Sequence, residues 1–358
     1  MVLDKVILIT IPLIILVNFF LVKNHHSFFL KKTQDKNFSK PQAFHTKTIP
    51  RMGGFLIYIF TVFFLFLFFK KNHFILNIFF LGSFFFLLGF MEDLNINIKP
   101  ELRLFFMLTF TFFLIYFLDI KILDAQLNII NKLIGSHKII SSIFVCLCLI
   151  FITNGCNFID GFNGLLIIHS IIILAILYFI NLQNSNDVYL GYYILSLIII
   201  CFSVLFYNFP NAKIFLGDGG AYFLGSNLSL ITVELSNLNK TISPFFFACL
   251  LFYIFFEVIF SFFRKMLIYK LSPLKPDKKH LHMIFFKYIF SQIKNFDKAN
   301  YLTSSLINIF YFILILPLFF YYKDKIFCQV YFLILLIVYL LFYLYLNEKN
   351  KYFLKKNS

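Results

Sequence analysis

Residues 154–165 read Asn-Gly-Cys-Asn-Phe-Ile-Asp-Gly-Phe-Asn-Gly-Leu and lie between two apolar runs, 139–153 and 164–180, of roughly membrane-spanning length. Polar side chains recur at every third position, Asn154, Asn157, Asp160 and Asn163, with Gly155, Gly161 and Gly164 interleaved. A plain turn between helices needs one or two polar residues. On a tight or broken helical turn, a three-residue repeat sends most of its side chains to one side. Asparagine both donates and accepts, which suits the edge of a uracil, and Asp160 can accept from a ribose hydroxyl or help hold a cation. Taken alone, the stretch reads equally well as a polar helix cap followed by a turn, so its surroundings decide.

Those surroundings are overwhelmingly apolar. The chain has 358 residues, of which 61% are hydrophobic and 13% charged, and its mean hydropathy is +0.86. A soluble chain of this length cannot bury that much apolar surface. Eleven segments approach spanning length: 6–22, 53–69, 74–90, 104–118, 139–153, 164–180, 189–206, 220–236, 244–263, 301–321 and 327–346. The expected fold is all-α, a polytopic membrane bundle of about 11 transmembrane helices forming one integral-membrane domain over 1–358. The run at 6–22 is longer than a signal-peptide core and no small-residue cleavage site follows it, so it reads as a retained helix. The six cysteines sit mostly inside apolar runs, at spacings that suit neither a zinc site nor a disulfide framework.

The net charge of +16 is unevenly placed. The connections at 23–52, 91–103, 154–163, 207–219 and 264–300, with the C-terminal tail, hold 23 of the 32 Lys and Arg residues. The positive-inside rule makes that side cytoplasmic, with the N-terminus outside. Topology and attraction to anionic headgroups of the lipid bilayer account for the charge, and no nucleic acid partner is expected.

Four further polar stretches fall on the same side. Lys47 and Arg51 precede Gly53-Gly54 and can meet a phosphate. Glu92 and Asp93 end an apolar run, where a carboxylate opposes the helix dipole unless a cation or a proton-transfer role compensates. Asp218 is flanked by Gly217, Gly219 and Gly220, a backbone cleared for a metal–phosphate complex. Residues 272–283 read Ser-Pro-Leu-Lys-Pro-Asp-Lys-Lys-His-Leu-His-Met; Lys278 and Lys279 beside His280 and His282 favour an anion over a metal, and Arg264 lies seven residues after Glu257 on one helix face. The stretch from there to about 300 reads as an amphipathic surface helix.

In this order the five stretches resemble the polyprenyl-phosphate N-acetylhexosamine-1-phosphate transferase superfamily, glycosyltransferase family 4. The resemblance covers about residues 45–285, and its last motif is similar to the branch that uses UDP-N-acetylglucosamine. It implies a bacterial inner-membrane enzyme facing the cytoplasm. That enzyme moves N-acetylhexosamine 1-phosphate from a UDP-N-acetylhexosamine to undecaprenyl phosphate, with release of UMP, to begin a lipid-linked surface glycan such as O-antigen. It also implies Mg²⁺, with Mn²⁺ as a candidate substitute, held by Asp218 and Asn157. Asp93 would deprotonate or position the lipid phosphate, with Glu92 in support. Asp160, Asn163 and Asn154 would hold the nucleotide, and His280, His282, Arg264, Lys278, Lys47 and Arg51 the phosphates. A homodimer is a candidate assembly. Glu92 stands where the family usually has Asp, Asn163 replaces an acid found in many members, and Met283 replaces a third histidine.

Two other readings compete. Phospho-N-acetylmuramoyl-pentapeptide transferase shares the chemistry, but its branch favours three histidines. A transporter would place its polar groups near the midplane between repeats, not in loops on one face.

Overall fold

The computed structural model describes residues 23, 32–35, 48–69, 73–96, 98–272 and 278–356. The expected helix at 6–22 and Lys47 lie outside the described residues. A two-stranded antiparallel pair, β1 (Gln34–Asp35) and β2 (Ile49–Pro50), leads into α1 (Gly53–Phe64), which continues as a π-helical turn, Leu65–Phe69. Then come α2 (His73–Asp93), α3 (Pro100–Leu118), the short α4 (Asn128–Ser136), α5 (Lys138–Ile159), α6 (Leu165–Ile180), α7 (Val188–Asn208) and α8 (Gly217–Leu238). The chain closes with α9 (Pro244–Leu250), α10 (Phe252–Phe263), α11 (Leu281–Ile293), α12 (Phe296–Ile315) and α13 (Lys325–Lys356).

The chain is a multi-pass membrane protein. Among the described residues, seven helical segments are long and apolar enough to cross, eight if α9 and α10 with its extension count as one span bent by 72°. The break falls at Leu251, between apolar neighbours, where a straight span was expected over 244–263. The expected span at 53–69 is the shorter apolar helix 53–67.

The remaining expected span, 220–236, is α8, which lies at the centre of the bundle against α1, α2, α5 and α6. From Gly217 to Thr232 nearly every residue except Asp218 is buried. It carries polar side chains because it faces protein instead of lipid: the Tyr193 hydroxyl of α7 donates to Asn227 Oδ1 at 2.5 Å, and Ser226, Ser229 and Thr232 donate to carbonyls of their own helix. At its start, Gly54 of α1 packs on Gly220 so closely that a side chain at Gly54 would overlap the α8 backbone. Residues 281–293, expected to lie on the membrane surface, instead bury Leu281 through Phe286 against α12 and α13.

Candidate active site

Four of the five motifs gather at one end of the bundle, around the first turn of α8, and the described part of the fifth packs beside the 154–165 stretch. The segment before α1 pairs with the segment before α8: Phe215 N donates to Pro50 O at 2.9 Å, Gly53 N to Phe215 O at 2.8 Å and Gly54 N to Leu216 O at 2.7 Å. Gly217 has φ +82, and a Cβ there would lie 2.6 Å from a carboxylate oxygen of Asp93. Both the left-handed backbone and the contact require glycine. The first-turn N–H groups of Asp218 and Gly219, which have no partner within their own helix, then donate to the two oxygens of Asp93, each at 2.9 Å. Asp93 is almost fully buried, and Arg51 Nη1 lies 4.0 Å from it. A carboxylate that opposes the dipole of its own helix is thus satisfied by the N-terminus of another.

Asp218, held this way, points to α5. That helix runs on to Ile159, so Asn154 and Asn157 stand on its last turns and only Asp160 and Asn163 belong to the connection. Asn157 Nδ2 donates to Asp218 Oδ1 at 3.0 Å. Turned over, the same amide would offer its oxygen there. The spacing matches that between adjacent ligands of an octahedral ion with bonds of about 2.0–2.1 Å, for which it is about 2.9 Å. Among the described residues no three His, Cys, Asp or Glu side chains form a metal cage. Magnesium at phosphate sites characteristically takes only one or two carboxylates, with water and phosphate completing the shell, so the pair fits such an ion.

Asp160, just beyond α5, has its carboxyl pushed up to about 8, by withdrawal from solvent and then by the negative charge of Asp218, with Arg51 opposing. Glu92 pairs with Arg103, whose Nη1 is 3.3 Å from Glu92 Oε1 and 4.0 Å from Asp218 Oδ2. Arg103 was not among the residues expected at the site. A cation at the mouth of an apolar run, ten residues after an acidic pair, was the signal that could have found it.

Asn154, Asn163 and Arg264 are turned to the scaffold. Asn154 Nδ2 donates to Ile150 O at 2.9 Å, and Asn163 Nδ2 to Pro210 O at 2.8 Å. Arg264 is buried and donates to Lys279 O at 2.6 Å and to the Tyr343 hydroxyl at 3.0 Å. Lys278 is exposed. His280 and His282 form a second, buried cluster that meets the 154–165 stretch. The Phe158 and Phe162 rings lie edge-on to them, at 5.2 and 5.7 Å between centroids. His280 is held by Glu257, and Tyr253 stands 3.3 Å from His282 Nδ1.

Residues 75–236, from α2 to the end of α8, match the profile of glycosyl transferase family 4. Over this region the chain is similar to that family. The matched region carries Glu92, Asp93, Asn157, Asp160 and Asp218, while Arg51, Glu257 and both histidines of the second cluster fall outside it. The chain is also 26% identical, over 265 residues, to a Thermotoga maritima protein named undecaprenyl-phosphate alpha-N-acetylglucosaminyl 1-phosphate transferase. The alignment covers 72% of this chain and 75% of that protein.

Proposed function

We propose that the protein transfers an N-acetylhexosamine 1-phosphate from a UDP-sugar to undecaprenyl phosphate. An oxygen of the lipid phosphate attacks the β-phosphorus of the UDP-sugar, the bond from that phosphorus to the bridging oxygen breaks, and UMP leaves. The product, a polyprenyl diphosphate sugar, would begin a surface glycan. The observation that carries this reading is the Asn157–Asp218 pair at 3.0 Å, built from two motifs within the family match. Phosphoryl transfer needs positioning and charge neutralisation more than covalent chemistry from the protein, and this end of the bundle offers both.

Asp218 and Asn157 would hold Mg²⁺, which when bound would neutralise diphosphate oxygens. Arg51 and Arg103 flank the carboxylates and would meet the phosphates on either side. Asp160 would face the nucleotide, and His280 and His282 a phosphate. Asp93 keeps Asp218 in place. The excess of Lys and Arg on the motif-bearing connections supports a site facing the cytoplasm of a bacterial inner membrane. The name of the Thermotoga maritima relative favours a UDP-N-acetylglucosamine substrate. Neither comparison lends support to the muramoyl-pentapeptide reading.

The test is transfer of radiolabel from a panel of UDP-sugars into lipid extract containing undecaprenyl phosphate. Label should enter the lipid from a UDP-N-acetylhexosamine with equimolar UMP. Labelling only from UDP-N-acetylmuramoyl-pentapeptide would move the protein to the other branch, and none from any UDP-sugar would end the reading.

A further inference from the structure

Glu257 lies in α10 with no exposed surface. A buried carboxylate is costly unless its oxygens are occupied by donors. His280 Nδ1 lies 2.9 Å from Oε1 and Leu281 N donates to the same oxygen at 3.2 Å. The third donor is the hydroxyl of Tyr339, 2.6 Å from Oε2. It comes from α13, beyond both the motifs and the family match. One turn further on, the Tyr343 hydroxyl donates to Lys279 O at 3.1 Å. Two hydroxyls at i and i+4 on one face of the C-terminal helix therefore support the start of the His-x-His motif, Tyr343 directly at Lys279 O and Tyr339 through Glu257.

A carboxylate only accepts, so His280 must carry its proton on Nδ1, and the ring is oriented by that bond. The Tyr339 hydroxyl in turn fixes the rotation of Glu257. Its ring is wedged edge-on against Phe256 and Phe260, at 4.9 and 5.5 Å between centroids. Anchoring α13 in lipid needs none of this; its other faces expose leucine, isoleucine and valine, and phenylalanine at 339 would pack as well.

We propose that Tyr339 is a positioning residue for the transfer reaction, acting through Glu257 to set the tautomer and orientation of His280. The proposal rests on the reading of His280 as a phosphate-facing group. Orienting partners of this kind characteristically contribute about tenfold or more.

The test is a double-mutant cycle on the full-length protein with Tyr339→Phe and His280→Asn, assayed for sugar-phosphate transfer. Tyr339→Phe should lower kcat about tenfold with KM for the UDP-sugar changed less than about twofold, and should change the rate less than about twofold when His280 is already Asn. Equal losses in both backgrounds, or full activity of the single variant, would overturn the proposal. An independent arm uses ¹⁵N-histidine spectra, with the His280 signal identified by its loss in His280→Asn. A protonated Nδ1 in the native protein and mixed tautomers in Tyr339→Phe are expected; an unchanged signal overturns the proposal even if no UDP-sugar is a substrate, an outcome that would refute the function separately. If Tyr339→Phe is recovered poorly, Glu257→Asp, which keeps the charge but shortens its reach, is run through the same cycle and spectra.

Discussion

The carboxylate of Asp93 closes the first turn of the helix that carries Asp218, taking the backbone N–H groups of Asp218 and Gly219 at 2.9 Å each. Asparagine at 93 keeps one acceptor and aims its NH₂ at a donor. Asp93→Asn should therefore cost about 0.5–2 kcal/mol of stability, the range for a lost helix cap, and lower the thermal midpoint in detergent. It should weaken Mn²⁺ binding along with transfer. A variant that loses transfer with its midpoint and metal affinity intact would make Asp93 a base instead of a cap.

Asp218→Asn should reduce transfer by more than about a hundredfold, the scale for removing a principal electrostatic element. Asn157→Asp retains an oxygen at the shared position and should keep metal binding, measured by paramagnetic resonance with Mn²⁺. Normal turnover of Asp218→Asn with magnesium as the only metal would remove the pair from the site.

Gly217→Ala adds a Cβ at φ +82 and 2.6 Å from an Asp93 oxygen. The strain should destabilise the protein by at least about 1 kcal/mol, read by thermal unfolding. Combined with Asp93→Ala, the loss should be smaller than additive, because the clashing carboxylate is gone.

The Asp160 carboxyl, pushed up to about 8, holds its proton in the folded protein well above the unfolded value of about 3.9. Its contribution to stability is full at low pH and is lost as pH rises through about 8. In metal-free protein the thermal midpoint should fall between pH 5.5 and 8 and then level off. Asp160→Asn should flatten that segment, and Asp218→Asn should move it to lower pH by removing a repelling charge.

Much of this was legible in the sequence. The helices around 139–153 and 164–180, and the placing of polar motifs between apolar runs, followed from hydropathy alone. The pairing of Asn157 with Asp218 was named only through the resemblance of their two motifs to the transferase superfamily. Other features left no local trace. Tyr339 and Tyr343 are two of several tyrosines in an aromatic-rich helix, and which hydroxyls face inward depends on how α13 packs. The bend at Leu251 has neither proline nor glycine to announce it. Asn163 read as a base-pairing amide, but its NH₂ donates to Pro210 O, a partner 47 residues away that only the fold supplies.

The burial of α8 among its neighbours also bears on how the protein is made. A helix this polar gains little by partitioning alone into lipid, yet α1, α2, α5 and α6, the helices it packs on most extensively, all precede it in the chain. By the time residues 217–238 leave the ribosome their cradle already exists, and membrane insertion of this segment becomes a docking event. Glycosylation mapping should find the isolated segment poorly inserted and the same segment well inserted behind its own upstream helices.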